Sequence, residues 1–296
     1  MTELRKIALI GVGNMGAPMA AHLVRAAERL VLFDLDVKVA EERAAAIGAE
    51  VADRLSEAAE DCDLVVTMLP NAEVVRAVLL DEAGLASALP RGAIVVDMSS
   101  SYPPATRETG ALLAERGLTL LDAPVSGGVK KAVSGELAIM LGGDEPAALE
   151  RAEPALATMG KVFRTGPLGS GHALKALNNF VSAAGLAAAC EAILVGERFG
   201  LDPAVMIQVI NASTGRNNAT EVKFEPFILN RDFGSGFALD LMSKDLKAAA
   251  DLASSLDLAV PHLQLSAELW AEAKAALGPG ADHTEIFRYL ETRAGA

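Results

Sequence analysis

The amino-acid sequence predicts two unlike halves, an α/β half built on a doubly wound parallel sheet and then an all-α half. Short β-rich runs alternate with helical runs through residues 1–165, and no such alternation is visible from 166 to 296. A long run rich in Ala and Leu, residues 166–200, lies where the two patterns meet. Alternating strands and helices are typical of a parallel sheet with helices on both faces. We therefore expect domains at 1–165 and 166–296, joined by one long helix.

The composition favours a folded, acidic protein that acts on small molecules. Of 296 residues, 51% are hydrophobic, enough for two buried cores, and the formal net charge is −13. An acidic surface disfavours binding to nucleic acid or to anionic membranes. Cys62 and Cys190 have neither metal-site nor redox spacing, and the chain enters a strand at once without a signal or transit sequence. We therefore expect a cytoplasmic protein with no nucleic-acid or membrane partner.

A glycine-rich turn follows the first predicted strand, residues 6–10, and precedes a predicted helix, residues 17–27. In such a turn the first glycine allows a tight bend, the second lets a pyrophosphate approach the backbone, and the third allows close packing of the helix. The N-terminus of that helix then faces the anion. The sequence thus predicts a Rossmann-type dinucleotide-binding turn made by Gly11, Val12, Gly13, Asn14, Met15 and Gly16.

Asp34 indicates which dinucleotide binds. It ends the second predicted strand, residues 30–33, close to the spacing of about 20 residues at which an acidic side chain binds the adenosine ribose. Its charge would repel a ribose phosphate, and residues 35–36 supply no cation, so we predict NAD rather than NADP. Lys38 is the one nearby cation, and it is expected to lie on the surface of the next helix. The alternative is that Asp34 only closes a turn after its strand.

Further predicted strands place candidate residues at the carboxyl edge of the sheet, where ligands of doubly wound folds bind. These strands cover residues 63–69, 93–98 and 118–123. Their ends supply the candidate segments 69–71, 98–100 and 122–128. In the first two, Leu69, Pro70 and Ser100 are candidates for contact with the cofactor.

Residues 126–128 follow the third of these strands and form a candidate anion site. The hydroxyl of Ser126 and the unobstructed backbone amides of Gly127 and Gly128 are donors suited to a carboxylate. A plain loop is the alternative, because Ser and Gly are common turn residues. Two more predicted strands, 137–143 and 161–164, close this half of the chain.

Residues 172–199 are predicted as one helix, because no proline interrupts them and Gly200 follows as a stop signal. The uncharged interval between Lys175 and Glu191 contains two asparagines and a serine, and it is shorter than the about 20 apolar residues of a membrane span. A helix that is apolar nearly all round is instead expected to be buried in a folded protein.

A polar face on this helix carries the predicted chemistry. Lys175, Asn179 and Ser182 lie at positions i, i+4 and i+7, on one side of the helix. Burying a lysine without a function is costly, although a lysine near a helix start can also extend to water. We therefore predict that Lys175 acts in the site.

The second half is predicted to be helical. One helix starts with Asp202 as its N-cap and Pro203 as its first residue, and others cover 240–255 and 261–277. Phe237 is predicted to wall the nicotinamide or the substrate, and Lys244 to contact the cofactor; a core phenylalanine and a surface lysine are the alternatives. We expect this half also to form the subunit interface of a homodimer or homotetramer.

Two polar features of this half are left open. The loop Arg216-Asn217-Asn218 either selects the substrate or is a turn with a capping Asn. His283 is either a pocket residue or a histidine at a helix start. The sequence contains no His, Cys and carboxylate cluster with metal-ligand spacing, so we expect no metal.

Four motifs, GVGNMGAPMA, DAPVSGG, GPLGSGHALKALNN and FALDLMSKDL, follow one another along the chain. Together they resemble the β-hydroxyacid dehydrogenase family, which includes 3-hydroxyisobutyrate and L-threonate dehydrogenases and tartronate semialdehyde reductase. The resemblance covers nearly the whole chain. Two departures are visible, because His22 stands where relatives usually carry Asn, and Ser100 where they often carry Thr.

The resemblance implies a role for each matching residue. Lys175 would be the catalytic residue, assisted by Asn179. Ser126, Gly127 and Gly128 would bind the substrate carboxylate, and Ser100 and Lys244 would contact the cofactor. With the candidates argued from the residues themselves, the predicted substrate side also includes Phe237 and Asn178, and the predicted cofactor side includes the glycine turn, Asp34, Leu69 and Pro70.

The predicted reaction interconverts a short 3-hydroxy acid, similar to 3-hydroxyisobutyrate, and its semialdehyde. Hydride moves between the carbinol carbon and nicotinamide while Lys175 accepts or donates the hydroxyl proton. A lysine with a pKa of ~10.4 is a poor base at neutral pH, so we expect burial and the positive nicotinamide ring to lower the pKa of Lys175. The separation of Lys175 from the Ser126 donors should favour 3-hydroxy over 2-hydroxy acids.

Other functions are compatible with parts of the pattern. A tartronate semialdehyde reductase, an L-threonate dehydrogenase or an L-serine dehydrogenase would share this architecture. Phosphogluconate dehydrogenase has a much longer helical half, and imine reductases generally replace the lysine. A non-catalytic dinucleotide-binding interaction protein is the alternative from another class.

Overall fold

The computed structural model of the protein describes residues 4–295. The chain forms two compact units, the first ending at Lys175 and the second beginning at Ala176. The predicted fold class, an α/β Rossmann-type unit followed by an all-helical one, is confirmed.

The first unit is built on a nine-stranded sheet. Its strands are β1 (Lys6–Ile10), β2 (Arg29–Phe33), β3 (Glu50–Val51), β4 (Leu64–Thr67), β5 (Ile94–Asp97), β6 (Thr119–Asp122), β7 (Val125–Ser126), β8 (Leu137–Gly142) and β9 (Gly160–Gly166). The order is β3-β2-β1-β4-β5-β6-β8-β7, with β9 paired to β8. The pairs from β3 through β6 are parallel, whereas β8 is antiparallel to β6 and β7.

Helices cover both faces of this sheet. They are α1 (Gly16–Leu23), α2 (Val37–Ile47), α3 (Leu55–Ala59), α4 (Ala72–Leu80), α5 (Pro103–Ala114), α6 (Gly128–Ser134) and α7 (Pro146–Ala157). Alternate residues of β1 face different cores, since Ile7 and Leu9 pack in one apolar cluster and Ala8 and Ile10 in another. A strand buried on both faces reads as a continuous apolar run, which is why the β1 bounds were predictable.

The long helix α8 (Ser170–Phe199) is continuous over 30 residues. By length and composition alone it could cross a membrane, with a mean hydropathy of 1.6, but 50% of its most apolar window is buried inside the protein. A core helix of a globular protein passes the same test, so these properties alone are weak evidence for a membrane span.

In the second unit, residues 176–295 form helices joined by turns and loops, and one isolated bridge pairs Ala238 with Asp282. Besides the rest of α8 it contains α9 (Pro203–Asn211), α10 (Asn218–Val222), a π-helical turn (Phe224–Leu229), α11 (Leu239–Ser255), α12 (Pro261–Leu277), a short 3-10 turn (His283–Glu285) and α13 (Ile286–Ala294). Trp270 and Phe224 are fully buried at its core. The predicted start of α9 is confirmed, because the Asp202 carboxylate accepts from the amides of Ala204 and Val205, with Pro203 at the first helical position.

Candidate active site

The glycine turn leaves one stretch of backbone open to a ligand. Gly11 has φ of +92°, and a Cβ there would lie 2.4 Å from the Met68 carbonyl oxygen. At Gly16 a Cβ would lie 2.0 Å from the Gly11 carbonyl oxygen, so the protein itself requires both glycines. At Gly13 a Cβ would meet no described protein atom within 4 Å. The open space at Gly13 fits the close approach of a pyrophosphate, which is the part that the second glycine plays in a dinucleotide-binding turn.

Helix α1 begins directly beyond this turn. Met15 caps it without a side-chain hydrogen bond, so no side chain there competes for the first-turn amides. Such amides, together with the helix dipole, form an anion-binding end. Val12 is buried, whereas Gly13 and Asn14 are exposed.

The Asp34 carboxylate joins the end of β2 to the glycine turn. One oxygen accepts from the Val12 amide at 2.9 Å, and the other from the Asp36 amide at 3.1 Å. Asp34 therefore does shape a turn, and a carboxylate still has further lone pairs for ribose hydroxyls. Asp36 caps α2, and Lys38 lies exposed in the first turn of that helix.

The ends of β4 and β5 are connected by Ser99, which lies in the predicted strand-end segment 98–100. The Ser99 hydroxyl accepts from the Leu69 amide at 2.9 Å. Asp97, 2% exposed, accepts from the Thr67 and Ser101 hydroxyls at 2.9 and 2.7 Å. Between these anchors, Ser100 is half-buried and Pro70 is exposed.

Residues 126–128 are not a plain loop. Ser126 ends the short strand β7, which pairs with β8, and Gly128 begins α6. Gly127 and Gly128 have φ of +135° and +65°, so their backbone conformation favours glycine, and both are exposed. The donors of this segment therefore lie at a strand-to-helix turn on the surface of the first unit.

His22, which departs from the family pattern, contacts the C-terminal end of α6. Its Nε2 lies 3.0 Å from the Ala132 carbonyl oxygen, and its ring lies against Gly135. The His22 side chain therefore connects α1, the helix after the glycine turn, to α6, the helix after Ser126.

Lys175 is buried, at 8% exposed, in the second turn of α8. The beginning of this helix is held by Asp122, at the end of β6, whose carboxylate accepts from the amides of Gly169 and His172 at 2.7 and 2.8 Å. Burial raises the pKa of the Asp122 carboxyl, and the His172 ring and these amides oppose that rise. The lysine thus belongs to a helix start that is bonded to the sheet.

Asn179 is buried and its amide is held on both sides. Nδ2 donates to Asp245 Oδ2 at 2.6 Å, and Oδ1 accepts from Asn178 at 3.2 Å. Lys244 Nζ lies 3.8 Å from Asp245 Oδ1. Asp245 was missed from the sequence, although its position offered a signal, since it is a carboxylate on the apolar stripe of α11 that also carries Met242.

Phe237 lies in a clamped segment before α11. The Asp282 carboxylate accepts from the amides of Gly236 and Phe237 at 2.9 and 3.2 Å, and from the Ser235 hydroxyl at 2.8 Å. The Phe237 ring meets the His283 ring edge-on, with centroids 5.5 Å apart. His283 is 2% exposed, so it is a buried partner of Phe237 as well as the first residue of a helical turn.

A half-buried lysine completes this cluster. Lys223 Nζ lies 2.6 Å from His283 Nε2, while His283 Nδ1 lies 3.0 Å from the Phe237 carbonyl oxygen. Burial lowers the pKa of Lys223 to about 8 and also lowers the pKa of His283. Burial opposes ionisation of Asp282, but its hydrogen bonds to His283, Thr284 and Ser235 outweigh that and keep its pKa below the usual range.

The Arg216-Asn217-Asn218 loop is a capped turn. Asn217 and Thr220 form a reciprocal capping box at the start of α10, and Arg216 pairs with Glu221 at 3.6 Å. Within residues 4–295, no group of three or more His, Cys, Asp or Glu side chains is arranged to hold a metal ion.

Two family models match the chain, one for each part. The model described as the NAD binding domain of 6-phosphogluconate dehydrogenase matches residues 6–168. The model described as NAD-binding of NADP-dependent 3-hydroxyisobutyrate dehydrogenase matches residues 169–290.

Similar proteins match over almost their full length. A 2-(hydroxymethyl)glutarate dehydrogenase of Eubacterium barkeri is 36% identical over 298 residues, covering 100% of this chain and 98% of that protein. An NAD-dependent L-serine dehydrogenase of Pseudomonas aeruginosa is 37% identical over 274 residues, covering 90% of this chain and 91% of that protein. The structure of a Mycobacterium tuberculosis 3-hydroxyisobutyrate dehydrogenase with L-serine superposes with a TM-score of 0.87 at 36% identity, covering 97% of this chain and 99% of that one.

Proposed function

The chain belongs to the β-hydroxyacid dehydrogenase family of 3-hydroxyisobutyrate dehydrogenase and its relatives, and from that premise we propose that Lys175 serves as the general acid/base of an NAD-dependent hydroxyacid oxidoreductase. The substrate is a short 3-hydroxy acid, similar to 3-hydroxyisobutyrate, which is interconverted with its semialdehyde. A non-catalytic interaction protein is not favoured by this family membership.

The burial of Lys175 is the observation that carries the proposal. The lysine is 8% exposed and lies one turn beyond His172, whose amide is bonded to the carboxyl end of β6. Ligands of doubly wound sheets bind at that edge, where the glycine turn also lies. An amine in this position can take the hydroxyl proton during oxidation and return it during reduction.

Asn179 is proposed to assist Lys175 from the next turn of the same helix. Because Asp245 holds one Nδ2 hydrogen and Asn178 donates to Oδ1, the amide has a defined orientation. These two bonds therefore also set the direction of the second Nδ2 hydrogen of Asn179. That hydrogen is proposed to bond the substrate hydroxyl and hold it in line with Lys175.

NAD, when bound, supplies the carbon that accepts the hydride. The residues proposed to hold it are the glycine turn, with Gly13 open to the pyrophosphate, Asp34 at the ribose, and Leu69, Pro70, Ser100 and Lys244. Ser126, Gly127 and Gly128 are proposed to bind the substrate carboxylate, with Asn178 and Phe237 on the same side. The proposed domains are 1–165, which binds most of NAD and supplies Ser126, Gly127 and Gly128 to the substrate, and 166–296, which supplies the remaining substrate contacts, Lys244 and the subunit contacts.

The names of the relatives' substrates support an acid in which a hydroxymethyl group is attached to the same carbon as the carboxylate. 2-(Hydroxymethyl)glutarate, L-serine and 3-hydroxyisobutyrate, named in the relatives, all have that arrangement. Oxidation of a panel of 3-hydroxyisobutyrate, serine, glycerate, threonate and short sulfonate analogues, each with NAD and with NADP, tests the substrate class. Turnover of 2-hydroxy acids in preference to 3-hydroxy acids would overturn it.

Replacing Lys175 tests the assigned chemistry. Lys175→Ala should lower kcat by about 10² or more while NADH binding stays nearly unchanged, because only proton transfer is lost. The matched control is Lys247→Ala, an exposed lysine of α11. Near-normal turnover of Lys175→Ala would remove the lysine from the chemistry.

Cofactor choice rests on Asp34 and has its own test. Asp34→Ala combined with an arginine at a neighbouring position should relax the preference against NADP, because the repelling carboxylate is replaced by a cation. An unchanged ratio of kcat/KM for NAD and NADP would contradict the assignment.

A homodimer or homotetramer in the cytoplasm is the proposed state. The second unit exposes large apolar side chains on its helices, at Val181, Val195, Phe199, Val205, Val209 and Leu265. A second copy covering them would remove that apolar area from water. Light scattering that returned the mass of one 30.6 kDa chain would remove the proposal.

A further inference from the structure

A buried imidazole lies at the start of α8 between two carboxylates that the proposed reaction does not use. His172 is 1% exposed, Asp122 0% and Asp97 2%. The imidazole nitrogens lie 3.6 Å from Asp97 Oδ2 and 3.7 Å from Asp122 Oδ2. Polar groups buried this deeply are tolerated only when hydrogen bonds satisfy them. The partners of each group therefore show which parts of the fold the cluster connects.

Asp122 fixes the point at which α8 begins. Its two oxygens accept from the Gly169 and His172 amides, which belong to the helix end whose amides have no intrahelical partner. A carboxylate there also interacts favourably with the helix dipole. Gly171 leaves no room for displacement, because a Cβ would lie 2.0 Å from the Met140 carbonyl oxygen and 2.9 Å from the Asp122 carboxylate. The position of Lys175, one turn later, follows from this contact.

The His172 ring connects the same helix start to the turn after β5. Its Nε2 lies 3.0 Å from the Ser99 carbonyl oxygen and its Nδ1 2.9 Å from the Thr106 hydroxyl. Because a carbonyl oxygen only accepts, Nε2 carries a hydrogen and donates it to Ser99. The residue after Ser99 is Ser100, the candidate for cofactor contact.

Asp97 holds the other side of that turn. Its carboxylate accepts from the Ser99 amide at 3.0 Å and from the Ser101 hydroxyl at 2.7 Å. Ser99 in turn accepts from the Leu69 amide, at the end of β4. The turn that carries Ser100 is therefore fixed on one side by Asp97 and on the other by His172.

We propose that His172 is a positioning residue that holds the cofactor-contacting turn 99–101 and the lysine-bearing start of α8 at a set separation. Its effect on the rate rests on the proposed function, whereas its effect on the two segments does not. The ring donates to one segment through Nε2 while its own backbone amide belongs to the other, so one residue controls both. A misplacement of 1 Å between reacting groups can cost about 10²-fold in rate, so the hydrogen bonds of His172 should affect the reaction rate as well as the structure.

The test compares His172→Leu with His172→Gln, whose side-chain amide can still donate toward Ser99. Thr109→Val is the control, an isosteric change at another buried residue of α5. Amide hydrogen exchange by mass spectrometry, NADH affinity and steady-state kinetics are measured well below the unfolding temperature. His172→Leu should accelerate exchange in segments 98–102 and 168–174 together, weaken NADH binding several-fold and lower kcat by about tenfold or more. His172→Gln should recover most of each loss.

The outcomes separate a positioning role from a merely structural one. Uniformly faster exchange throughout the first unit, or unchanged NADH affinity and kcat in His172→Leu, would overturn the proposal. If His172→Leu does not fold, Thr106→Val decides, because it removes the hydroxyl that hydrogen-bonds Nδ1 without changing the side-chain shape, and coupled exchange in both segments is again expected. If the wild-type protein turns over no hydroxy acid, the proposed function fails, and the exchange and NADH data still decide the role of His172.

Discussion

Two buried histidines, one in each unit, make similar hydrogen bonds but have differently charged neighbours. His172 and His283 are 1% and 2% exposed, and both lie at the start of a helical segment. Each ring hydrogen-bonds a backbone carbonyl oxygen in a segment that carries a candidate site residue. His172 bonds Ser99, which precedes Ser100, and His283 bonds Phe237 itself. In both places a buried imidazole connects a turn to a helix start.

The neighbours of the two rings differ in sign. His172 lies between the carboxylates of Asp97 and Asp122, whereas His283 faces the Lys223 ammonium on one side and Asp282 on the other. Because Nδ1 of His283 donates to the Phe237 carbonyl, its Nε2 is left to accept from Lys223. Burying a lysine costs free energy, as the lowered pKa of Lys223 reflects. The second unit therefore combines a destabilising cation, Lys223, with the carboxylate of Asp282 at its turn, whereas the first unit places two carboxylates beside its imidazole.

The largest expected effect comes from removing the carboxylate beside each ring. Asp122→Ala should lower the free energy of unfolding by about 3 kcal/mol or more, since it leaves the buried amides of Gly169 and His172 without their acceptor. Asp282→Ala should cost about 2 kcal/mol, because the Asp282 side chain is 11% exposed and water can partly replace it. Urea unfolding of both variants measures the difference. A larger loss in Asp282→Ala would reverse our ranking of the two clusters.

The Lys223 cation should give the second unit a pH dependence on the alkaline side. Between pH of about 8 and 10.5, Lys223 is neutral in the folded state but protonated in the unfolded state. Unfolding then takes up a proton, so the contribution to the free energy of unfolding rises with pH through this window, by at most about 3 kcal/mol. Below pH 8 both states are protonated, and the cost of the buried charge is fully present.

Lys223→Met isolates this contribution. The difference in unfolding free energy between wild type and Lys223→Met should change across pH 8 to 10.5, whereas the same difference for Lys247→Met, an exposed lysine, should stay flat. If the difference between wild type and Lys223→Met did not change with pH, the charge on Lys223 would not destabilise the folded state.

Local patterns were sufficient to predict most of the framework. The glycine turn, strand β1 and helix α12 were predicted at or near their observed bounds, because each depends on residues adjacent in sequence. Shorter elements such as β3, with two residues, and α6, with seven, span too little of a period for the sequence to reveal them. The assignments of Lys175 and its companions as site residues remain predictions.

The hydrogen-bond partners of the supporting carboxylates could not be predicted because they are distant in sequence. The amide of His172 lies 50 residues from Asp122, and Asn179 lies 66 residues from Asp245. Only indirect signals existed: β5 and β6 are apolar strands that each end in Asp, and Asp245 interrupts an apolar stripe. A buried carboxylate in such a pattern requires donors, and only the fold shows which ones it has.

The smallest expected effect is kinetic and sharpens the comparison at the level of function. In the proposed site Phe237 belongs to the substrate side, whereas Ser100 belongs to the cofactor side, so the two histidines should influence different constants. His283→Leu should raise KM for the hydroxy acid by about fivefold, on the scale of a single hydrogen bond, with NADH affinity nearly unchanged. His172→Leu should instead act on NADH affinity and kcat. Weaker NADH binding in His283→Leu would show that the clamp on Phe237 serves the cofactor, and would remove Phe237 from the substrate side.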